Sequence, residues 1–373
     1  MKRLVLLAGL VLLGLSAWGL RAQQTWQDTL TLPIGGGSLA IADLNGDRNP
    51  DIVTTGTGTV VVYRGDGRGR FSQAPGSPFP AGNNPSDIAL GDFNEDGRLD
   101  VAVANHETTY LTVLLADRGG LSPASHVTVP SRPHPHGVAV GDFTGDRHLD
   151  LAVESWEADM VLVVPGNGKG GFAESRPVAV GRKPYWKLRA ADLNNDGKAD
   201  LVTTNMDGSS VSVLCSDGSG ALRPSKDVAV SRSPFAIAIG DVNGDRYPDL
   251  AVAHRWGSVD PNLDRVTVLT GSGDCVFTAS PESPMKAGTS PTDVAIGDID
   301  GDGIGDIAVA NMGSNDVSVF LGGRSGLRPM SGSPVSTGKL PLALALHDLN
   351  GDRRADIVTG GRDVSVILSR PAR

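Results

Sequence analysis

A short acidic motif recurs seven times along the chain at nearly constant spacing. It reads DLNGDRNPD in its first copy and DFNEDGRLD in its second, and the intervals between copies are 49 to 57 residues. Its copies begin at Asp43, Asp92, Asp142, Asp192, Asp241, Asp298 and Asp348. A period of this length is the mark of a repeat architecture, in which each unit is one supersecondary element. The chain therefore folds as seven similar units.

Each unit contains the same pattern of short strands. A strand such as DIALGD precedes the acidic loop, a second such as LDVAVAN follows it, and a third such as LTVLLAD comes next. A glycine-rich turn then leads to a weaker fourth strand. Only 5% of the residues are aromatic, while 49 glycines and 24 prolines suit many strands joined by tight turns. The pattern predicts an all-β, seven-bladed β-propeller made of four-stranded antiparallel blades.

The two termini predict how the ring closes. After the last acidic loop, which ends at Asp356, the chain has room for only two more strands. The segment TWQDTLTLP (25–33) resembles the fourth strands of the other units. We expect this N-terminal strand to complete the last blade, which would remove exposed sheet edges.

The first residues have the pattern of a secretory signal. Two basic residues precede an apolar run in MKRLVLLAGLVLLGLSAWGLRA, and small residues follow. We assign 1–22 as a signal peptide and 23–373 as the propeller, so the mature protein is expected to be secreted, periplasmic or on the cell surface. An uncleaved anchor is the alternative, because the run could be extended to about 17 apolar residues. After cleavage no membrane association is expected.

Only two cysteines are present, Cys215 and Cys275. In an exported protein they could form a disulfide, but two cysteines are too few for a disulfide framework. They lie at non-equivalent points of neighbouring units, so the sequence leaves their pairing open.

Oxygen ligands alternate within each acidic loop. In the second unit the side chains of Asp92, Asn94, Asp96 and Asp100 stand at positions 1, 3, 5 and 9, and the carbonyl of Arg98 stands at position 7. Such a set of hard oxygens suits Ca²⁺, whereas Mg²⁺ demands a tighter octahedron. We predict up to seven Ca²⁺ ions, one per blade. The predicted metal-binding positions are Asp43, Asn45, Asp47, Asn49, Asp51, Asp92, Asn94, Asp96, Arg98, Asp100, Asp142, Thr144, Asp146, His148, Asp150, Asp192, Asn194, Asp196, Lys198, Asp200, Asp241, Asn243, Asp245, Tyr247, Asp249, Asp298, Asp300, Asp302, Ile304, Asp306, Asp348, Asn350, Asp352, Arg354 and Asp356.

The loop spacing overlaps that of an EF-hand, but two features differ. An EF-hand requires glutamate at position 12 and flanking helices, whereas position 12 is Val103 in the second unit and the flanks are strand-like. Three loops have glycine at position 6, and the other four have arginine there and glycine at position 4, so we expect their turns to differ slightly. Thr144 at position 3 marks the third loop as the weakest site.

The charge of the chain is consistent with bound cations. Removal of residues 1–22 would take away three of the 33 basic residues and none of the 42 acidic ones, which leaves a net charge of −12. Without metal the clustered carboxylates would repel one another, so we expect the stability of the fold to depend on calcium. The negative charge and the absence of a basic stripe argue against nucleic-acid binding.

The tandem acidic loops between blade strands resemble the FG-GAP/VCBS repeat family. The turns GDGRGRF (65–71) and GNGKGGF (166–172) match it too. This resemblance covers about residues 25–370 and implies an integrin-α-like propeller with calcium loops. Similar propellers serve in adhesion, as sugar-binding lectins and as parts of some polysaccharide lyases, so the resemblance does not settle function.

Positions that break the repeat are candidates for a ligand site. Three positions before each loop six units have alanine, but the fourth has Arg189, which follows Tyr185, Trp186 and Lys187. Histidines and tryptophans from neighbouring units are expected on the same face, opposite the acidic loops. Aromatic rings beside polar groups suit a sugar, although they could also simply fill gaps between blades. The predicted ligand-binding residues are His136, Trp156, Tyr185, Trp186, Lys187, Arg189, His254, Arg255 and Trp256.

These features favour a non-catalytic binding module for an extracellular glycan or protein partner. No nucleophile, metalloprotease or phosphate-binding motif is present. The alternative is a lyase-like carbohydrate-active enzyme in which Lys187, Arg189 and His136 handle a uronate, and a self-associating surface protein is a third. His134 and His136 also raise the question of a transition metal, but no partner ligand is evident. The sequence does not give the oligomeric state.

Overall fold

The computed structural model describes residues 25–26, 30–117, 120–217, 219, 221–224, 226–255 and 264–370. The predicted signal peptide and Trp256 lie outside these residues. The strands are β1 (Thr25–Trp26), β2 (Leu30–Leu32), β3 (Leu39–Ala42), β4 (Asp51–Gly56), β5 (Thr59–Gly65), β6 (Phe71–Gln73), β7 (Phe79–Pro80), β8 (Pro85–Gly91), β9 (Asp100–Asn105), β10 (Tyr110–Asp117), β11 (Gly120–Pro130), β12 (Pro135–Gly141), β13 (Asp150–Ser155), β14 (Met160–Val164), β15 (Arg176–Ala179), β16 (Pro184–Ala191), β17 (Asp200–Asn205), β18 (Ser210–Leu214), β19 (Lys226–Ala229), β20 (Pro234–Gly240), β21 (Asp249–His254), β22 (Arg265–Gly271), β23 (Phe277–Ala279), β24 (Met285–Lys286), β25 (Pro291–Gly297), β26 (Asp306–Asn311), β27 (Asp316–Leu321), β28 (Arg328–Pro329), β29 (Val335–Ser336), β30 (Ala343–His347), β31 (Asp356–Gly360), β32 (Val364–Ile367) and β33 (Ser369–Arg370).

These strands form seven antiparallel blades, as the repeat predicts. Strands β3 to β6 make blade one, β8 to β11 blade two, β12 to β15 blade three and β16 to β19 blade four. Strands β20 to β23 make blade five, β25 to β28 blade six and β30 to β32 most of blade seven. In blades one, five and six a further two-residue strand pairs with the third strand. The predicted all-β propeller is confirmed. No helix that could cross a membrane occurs in the described part of the chain.

The N-terminal segment completes blade seven. Strand β2 pairs antiparallel with β32, with Leu30 opposite Val366 and Leu32 opposite Val364. The preceding strand β1 pairs instead with the last strand, β33. The prediction that the N-terminal strand closes the ring is confirmed, and Leu30–Leu32 is the part of the segment that does so.

The core lies between the blades. All six residues of β9, β13, β17, β21 and β26 are buried, because both faces of these second strands pack against neighbouring blades. Between blades two and three, for example, Leu111 and Val113 pack in one cluster with Val138 and Leu162. Blades four and five are also joined by a disulfide between Cys215 and Cys275, whose Cα atoms lie 6.5 Å apart.

Candidate functional site

The acidic loops are shaped by hydrogen bonds from backbone N–H groups to their own carboxylates. In blade one the Asp43 carboxylate accepts from Gly46, Asp47 and Arg48 at 2.7–3.1 Å. Asp51, at position 9, is buried and accepts from Leu44 within the loop and from Gly65 on the third strand. Each loop is therefore both a turn and a link between the second and third strands.

All seven loops adopt the same backbone conformation. The residues at positions 4 and 6 have φ between +57° and +84° in every loop, whether or not they are glycine. In blade one these residues are Gly46 and Arg48, and in blade two they are Glu95 and Gly97. The expectation that the arginine-containing turns would differ is wrong. The bonds to the first aspartate offset the cost of a left-handed non-glycine residue, which is about 1–2 kcal/mol.

In the loop of blade six, carboxylate oxygens converge in the way that a calcium site requires. In blade six the carboxylate oxygens of Asp298, Asp300 and Asp306 lie within 4.8 Å of one another. Calcium–oxygen distances are about 2.3–2.6 Å, so ligands on opposite sides of an ion stand about 5 Å apart. Burial raises the pKa of Asp306 to about 7, and a bound cation would compensate this buried carboxylate. The residues present fit Ca²⁺, which remains a prediction.

A buried ion-pair cluster closes the centre of the ring. It consists of Asp87, Lys187, Arg189 and Asp293. The Lys187 amine lies 2.9 Å from the Asp87 carboxylate and 3.9 Å from that of Asp293. Lys187 belongs to blade four, Asp87 to blade two and Asp293 to blade six. The lysine therefore contacts the second blade away from its own on each side. The three side chains are 1–3% exposed.

The ion-pair cluster is held by further hydrogen bonds. Asp87 accepts from the Ser38 hydroxyl at 2.7 Å and from the backbone of Val138 at 3.3 Å. Burial acts against ionisation of Asp87, but Lys187 and Arg189 outweigh it and hold the pKa of Asp87 below its usual value. Burial raises the pKa of Asp293. Asp87 is therefore the principal ionised partner of Lys187.

Arg189 lies on the side of the cluster that faces the acidic loops. Its Nη1 atom is 3.4 Å from the Asp87 carboxylate and donates to the carbonyl of Leu188 at 2.9 Å. The remainder of the side chain lines a central channel of about 640 Å³ together with Ala40, Ala89 and Ala139 of other blades. The position that breaks the alanine pattern therefore borders this channel.

A further buried acid, Glu154, lies beside the ion-pair cluster. Its carboxylate accepts from the backbone of Gly137 at 3.0 Å and from the Thr203 hydroxyl at 2.9 Å. Burial is the main reason that the pKa of Glu154 rises to about 8, so this group is protonated at neutral pH. Gly137 leaves room for it, because a Cβ there would lie 3.1 Å from the carboxyl carbon.

Blade four carries an inserted residue at the face opposite the acidic loops. Seven positions separate the first-strand proline from the loop in blades two, three, five, six and seven, but eight separate Pro184 from Asp192. The pairing of β16 with β17 accordingly skips from Pro184 to Leu188. Trp186 lies in this bulge with φ of +77°, which is an outlier for so bulky a residue. An atom of the Trp186 indole ring lies 3.7 Å from the position that a Cβ atom on Gly37 of blade one would occupy.

Rings from four blades meet around this bulge. The aromatic cluster consists of His106, His134, His136, Trp156, Tyr185, Trp186 and Phe235. The centroid of the His136 ring lies 4.1 Å from that of His106 and 4.4 Å from that of Tyr185, with the ring planes tilted in both pairs. Trp186 stacks on Phe235 at 5.2 Å, and Tyr185 lies 5.9 Å from Trp156. The structure therefore brings together four of the predicted ligand-binding residues, namely His136, Trp156, Tyr185 and Trp186.

Five nitrogen atoms of the aromatic cluster have no hydrogen-bond partner. Both ring nitrogens of His136, the Nε1 atoms of Trp156 and Trp186, and Nδ1 of His134 are buried without a hydrogen-bond partner. Burial lowers the pKa of His136 to about 3, so its imidazole is neutral. Buried polar groups are nearly always hydrogen-bonded, and five orphaned nitrogens in one group of rings are exceptional. A ligand that supplies hydrogen-bond partners is one explanation for such a group of unpaired atoms.

The other predicted ligand-binding residues lie apart from these rings or at their edge. His254 is buried, donates from Nδ1 to the Arg232 carbonyl at 3.0 Å and accepts from the Thr267 hydroxyl at 2.7 Å. Lys187 and Arg189 belong to the ion-pair cluster, below the rings. Arg255 lies at the edge, with its guanidinium 4.9 Å from the Phe235 ring. The three residues considered for lyase chemistry are thus divided between two places: Lys187 and Arg189 pair with Asp87, and His136 lies among the rings.

Histidine nitrogens do not converge as transition-metal ligands. Among the described residues, no three histidine, cysteine or acidic side chains that include His134 or His136 bring ligand atoms within 4.8 Å of one another. The centroids of the His106 and His134 rings are 5.1 Å apart, and the ring planes are tilted by 48° to each other.

Sequence analysis missed several residues of these clusters. Asp87 and Asp293 occupy the first-strand position that is Lys187 in blade four and serine, glycine or alanine in the other blades. Glu154 replaces the alanine, threonine or glycine of the other second strands. Each breaks the repeat as Arg189 does, so the same test applied to every strand position would have found them. The insertion at Trp186 was visible as the longer spacing from proline to loop.

The repeats identify the family. A model described as an FG-GAP-like repeat matches residues 43–103, 92–153, 192–252 and 298–359, more than half of the chain. The chain belongs to the FG-GAP-like repeat family. A search of curated protein sequences finds no significant match.

Solved structures with the same fold have diverse roles. BBS1N, solved in complex with ARL6DN, is 13% identical with a TM-score of 0.63, over 94% of this chain and 98% of that one. Virginiamycin B lyase from Staphylococcus aureus is 14% identical with a TM-score of 0.58, over 92% and 99%. An Agrocybe aegerita lectin that recognises terminal N-acetylglucosamine is 18% identical with a TM-score of 0.56, over 89% and 87%. At these identities the likeness shows the fold alone. Fold and family together indicate a binding or scaffold module.

Proposed function

We propose that this FG-GAP-like propeller is an exported, calcium-binding module that recognises a glycan through the aromatic cluster. One observation carries the proposal: rings of four blades meet at one face with orphaned nitrogen atoms. The faces of Trp156, Tyr185 and Trp186 suit the apolar C–H faces of a sugar. Unpartnered indole and imidazole groups suit its hydroxyls.

Calcium has a supporting role in this proposal. The acidic loops lie at the opposite face and connect the strands of each blade, so ions bound there would stabilise the scaffold without touching the ligand. Residues at positions 1, 3, 5 and 9 of each loop, with the carbonyl at position 7, would hold the ion. Export would place the protein where millimolar calcium and extracellular glycans are both available.

A glycan array in millimolar calcium tests the proposal. The wild type should bind a defined set of glycans, and Trp156→Phe should weaken this binding because it removes the indole N–H and part of the stacking surface. Trp26→Phe is a matched control, since Trp26 also has an unpartnered Nε1 atom but packs against blade six instead of the aromatic cluster. A blank array, or equal losses in both variants, would overturn the proposal and favour a protein partner.

A non-catalytic role is part of the proposal. Two acid–base candidates near the rings are buried: Lys187 is paired with carboxylates, and Glu154 is protonated and 1% exposed. General acid–base catalysis needs a group within reach of the substrate proton. The proposal therefore predicts that a bound oligosaccharide is recovered unchanged after prolonged incubation.

A further inference from the structure

The unpartnered groups of the aromatic cluster are mainly hydrogen-bond donors. An indole Nε1 can only donate, and this applies to Trp156 and Trp186. The neutral imidazole of His136 has one donor and one acceptor. A ligand that satisfies these groups must be rich in acceptor oxygens.

Two cationic side chains border the same rings. The Lys183 amine lies 4.9 Å from the centroid of Trp156 and is 3.4 Å from the Asp207 carboxylate. The Arg255 guanidinium stacks over Phe235, and burial lowers the pKa of Arg255. Within the described residues Arg255 forms no ion pair, and its side-chain contact is with the Met312 sulfur at 3.9 Å. A half-buried guanidinium with no acidic partner in the described part of the chain can bind an anion.

Negative charge is scarce among the same rings. Glu107, next to His106, is exposed and accepts a hydrogen bond from Asn83. Glu157 also lies outside, with its side chain 58% exposed and 3.6 Å from His134. Asp207 is already paired with Lys183. Glu154, which lies near Tyr185, is protonated at neutral pH for the reason given above. The cluster therefore carries donors and cations without a matching buried anion.

We propose that the aromatic cluster selects an acidic sugar residue, whose carboxylate pairs with Arg255 and accepts from the indole N–H groups. This inference rests on the proposed glycan-binding function and adds the chemical class of the ligand. Stacking of the sugar ring on Trp156 or Tyr185 would orient the carboxylate towards Arg255, where a planar guanidinium can bind it through two parallel hydrogen bonds.

Access requires Trp186 to move. The orphaned nitrogen atoms have no exposed surface in this conformation, so a ligand reaches them only when a ring turns aside. Trp186 is the ring best placed to do so, because it lies in the bulge between Pro184 and Leu188 and its backbone has the left-handed φ of +77°. A ligand that gives the orphaned donors an acceptor would favour the open arrangement.

Matched pairs of ligands test the charge requirement on the unmodified protein. A panel of acidic oligosaccharides with uronate and sialate residues is compared with the methyl esters of the same compounds, which keep the sugar and lose the charge. We expect at least one acid to bind and its ester to bind about 10- to 100-fold more weakly, the range for a lost charged hydrogen bond. Equal binding of acid and ester, or binding of neutral glycans alone, overturns the inference and leaves the proposed function intact. Failure to bind any glycan overturns both.

Substitution of the arginine tests its role. Arg255→Gln should remove most of the preference for acid over ester, whereas Arg182→Gln, at an exposed residue of the neighbouring loop, should leave it unchanged. The ratio of the two affinities is the readout, since a general loss of structure would weaken both ligands together. An unchanged ratio in a folded Arg255→Gln protein would refute the assignment of the carboxylate to Arg255.

Discussion

Replacement of Lys187 by methionine tests whether the ion-pair cluster holds the centre of the ring. Methionine keeps much of the volume of the side chain but removes the amine, which lies 2.9 Å from Asp87 and 3.9 Å from Asp293. Asp87 would keep Arg189, at 3.4 Å. Asp293 would keep only the backbone N–H groups of Leu344 and Val294 as hydrogen-bond donors.

The magnitude follows from burial. Loss of one partner from a buried ion pair costs about 3–5 kcal/mol, because the remaining charge stays desolvated. With roughly 2 °C per kcal/mol for a large domain, Lys187→Met should lower Tm by about 6–10 °C. Asp87→Asn removes the charge that the lysine compensates. The double variant should therefore be more stable than the sum of the two single changes predicts, by about 1–3 kcal/mol.

Thermal and urea unfolding at pH 7 of the wild type, both single variants and the double variant supply the cycle. Lys187→Arg is a useful control, since it preserves the charge but not the geometry. A Tm of Lys187→Met within about 1 °C of the wild type would refute the reasoning, as would strict additivity of the two single changes. Either result would mean that the amine is solvated and does not join blades two, four and six.

Four further predictions concern other parts of the molecule. Glu154→Gln mimics the protonated acid. Because the folded-state pKa of Glu154, about 8, lies above the usual 4.5, the contribution of this group to stability is full below pH 4.5 and is lost as the pH rises through 8. The free energy of unfolding of the variant should therefore exceed that of the wild type by up to about 4 kcal/mol at pH 9. Trp186→Gly should be about 1 kcal/mol more stable than Trp186→Ala in denaturant titrations, the reverse of the usual order, because only glycine adopts φ of +77° without strain. Chelation of calcium should lower Tm, and an unchanged Tm in excess chelator would contradict the calcium assignment. Thr144→Asn should raise the calcium affinity of the third loop, measured by calorimetric titration. Reduction of the Cys215–Cys275 disulfide should cost about 2–4 kcal/mol in unfolding free energy, measured with and without reductant.

The fold was predictable because the repeat makes every local signal appear seven times. A single loop such as DFNEDGRLD is a weak indication of a calcium site or of a fold. Seven copies in register define a period of about 50 residues, and this period indicates a four-stranded propeller blade. Closure was predictable from the missing fourth strand after Asp356. The equivalence of the loop turns was not, because local preference for glycine suggested two kinds of turn. The hydrogen bonds to the first aspartate override that preference in Arg48 and its counterparts.

The candidate site was only partly predictable. Breaks in the repeat drew attention to Arg189, Trp186 and Lys187. The sequence could not show that Lys187 points towards the centre of the propeller, where it pairs with Asp87, while Trp186 stacks on Phe235. That separation depends on a bulge of one extra residue in β16, which shifts the side chains of successive residues to different sides. Nor could the sequence show that both ring nitrogens of His254 are already hydrogen-bonded within the fold, because the partners, Arg232 and Thr267, are not its neighbours in the chain.

The central claim is that the aromatic cluster is the ligand-binding surface, and the indole N–H groups report on it directly. Protein labelled with ¹⁵N at tryptophan would be titrated with the best ligand from the array, with each indole resonance assigned by substitution to phenylalanine. The account predicts that the N–H resonances of Trp156 and Trp186 move downfield as they gain an acceptor, while that of Trp26 stays in place. Saturable binding with the Trp156 and Trp186 resonances unchanged would contradict it.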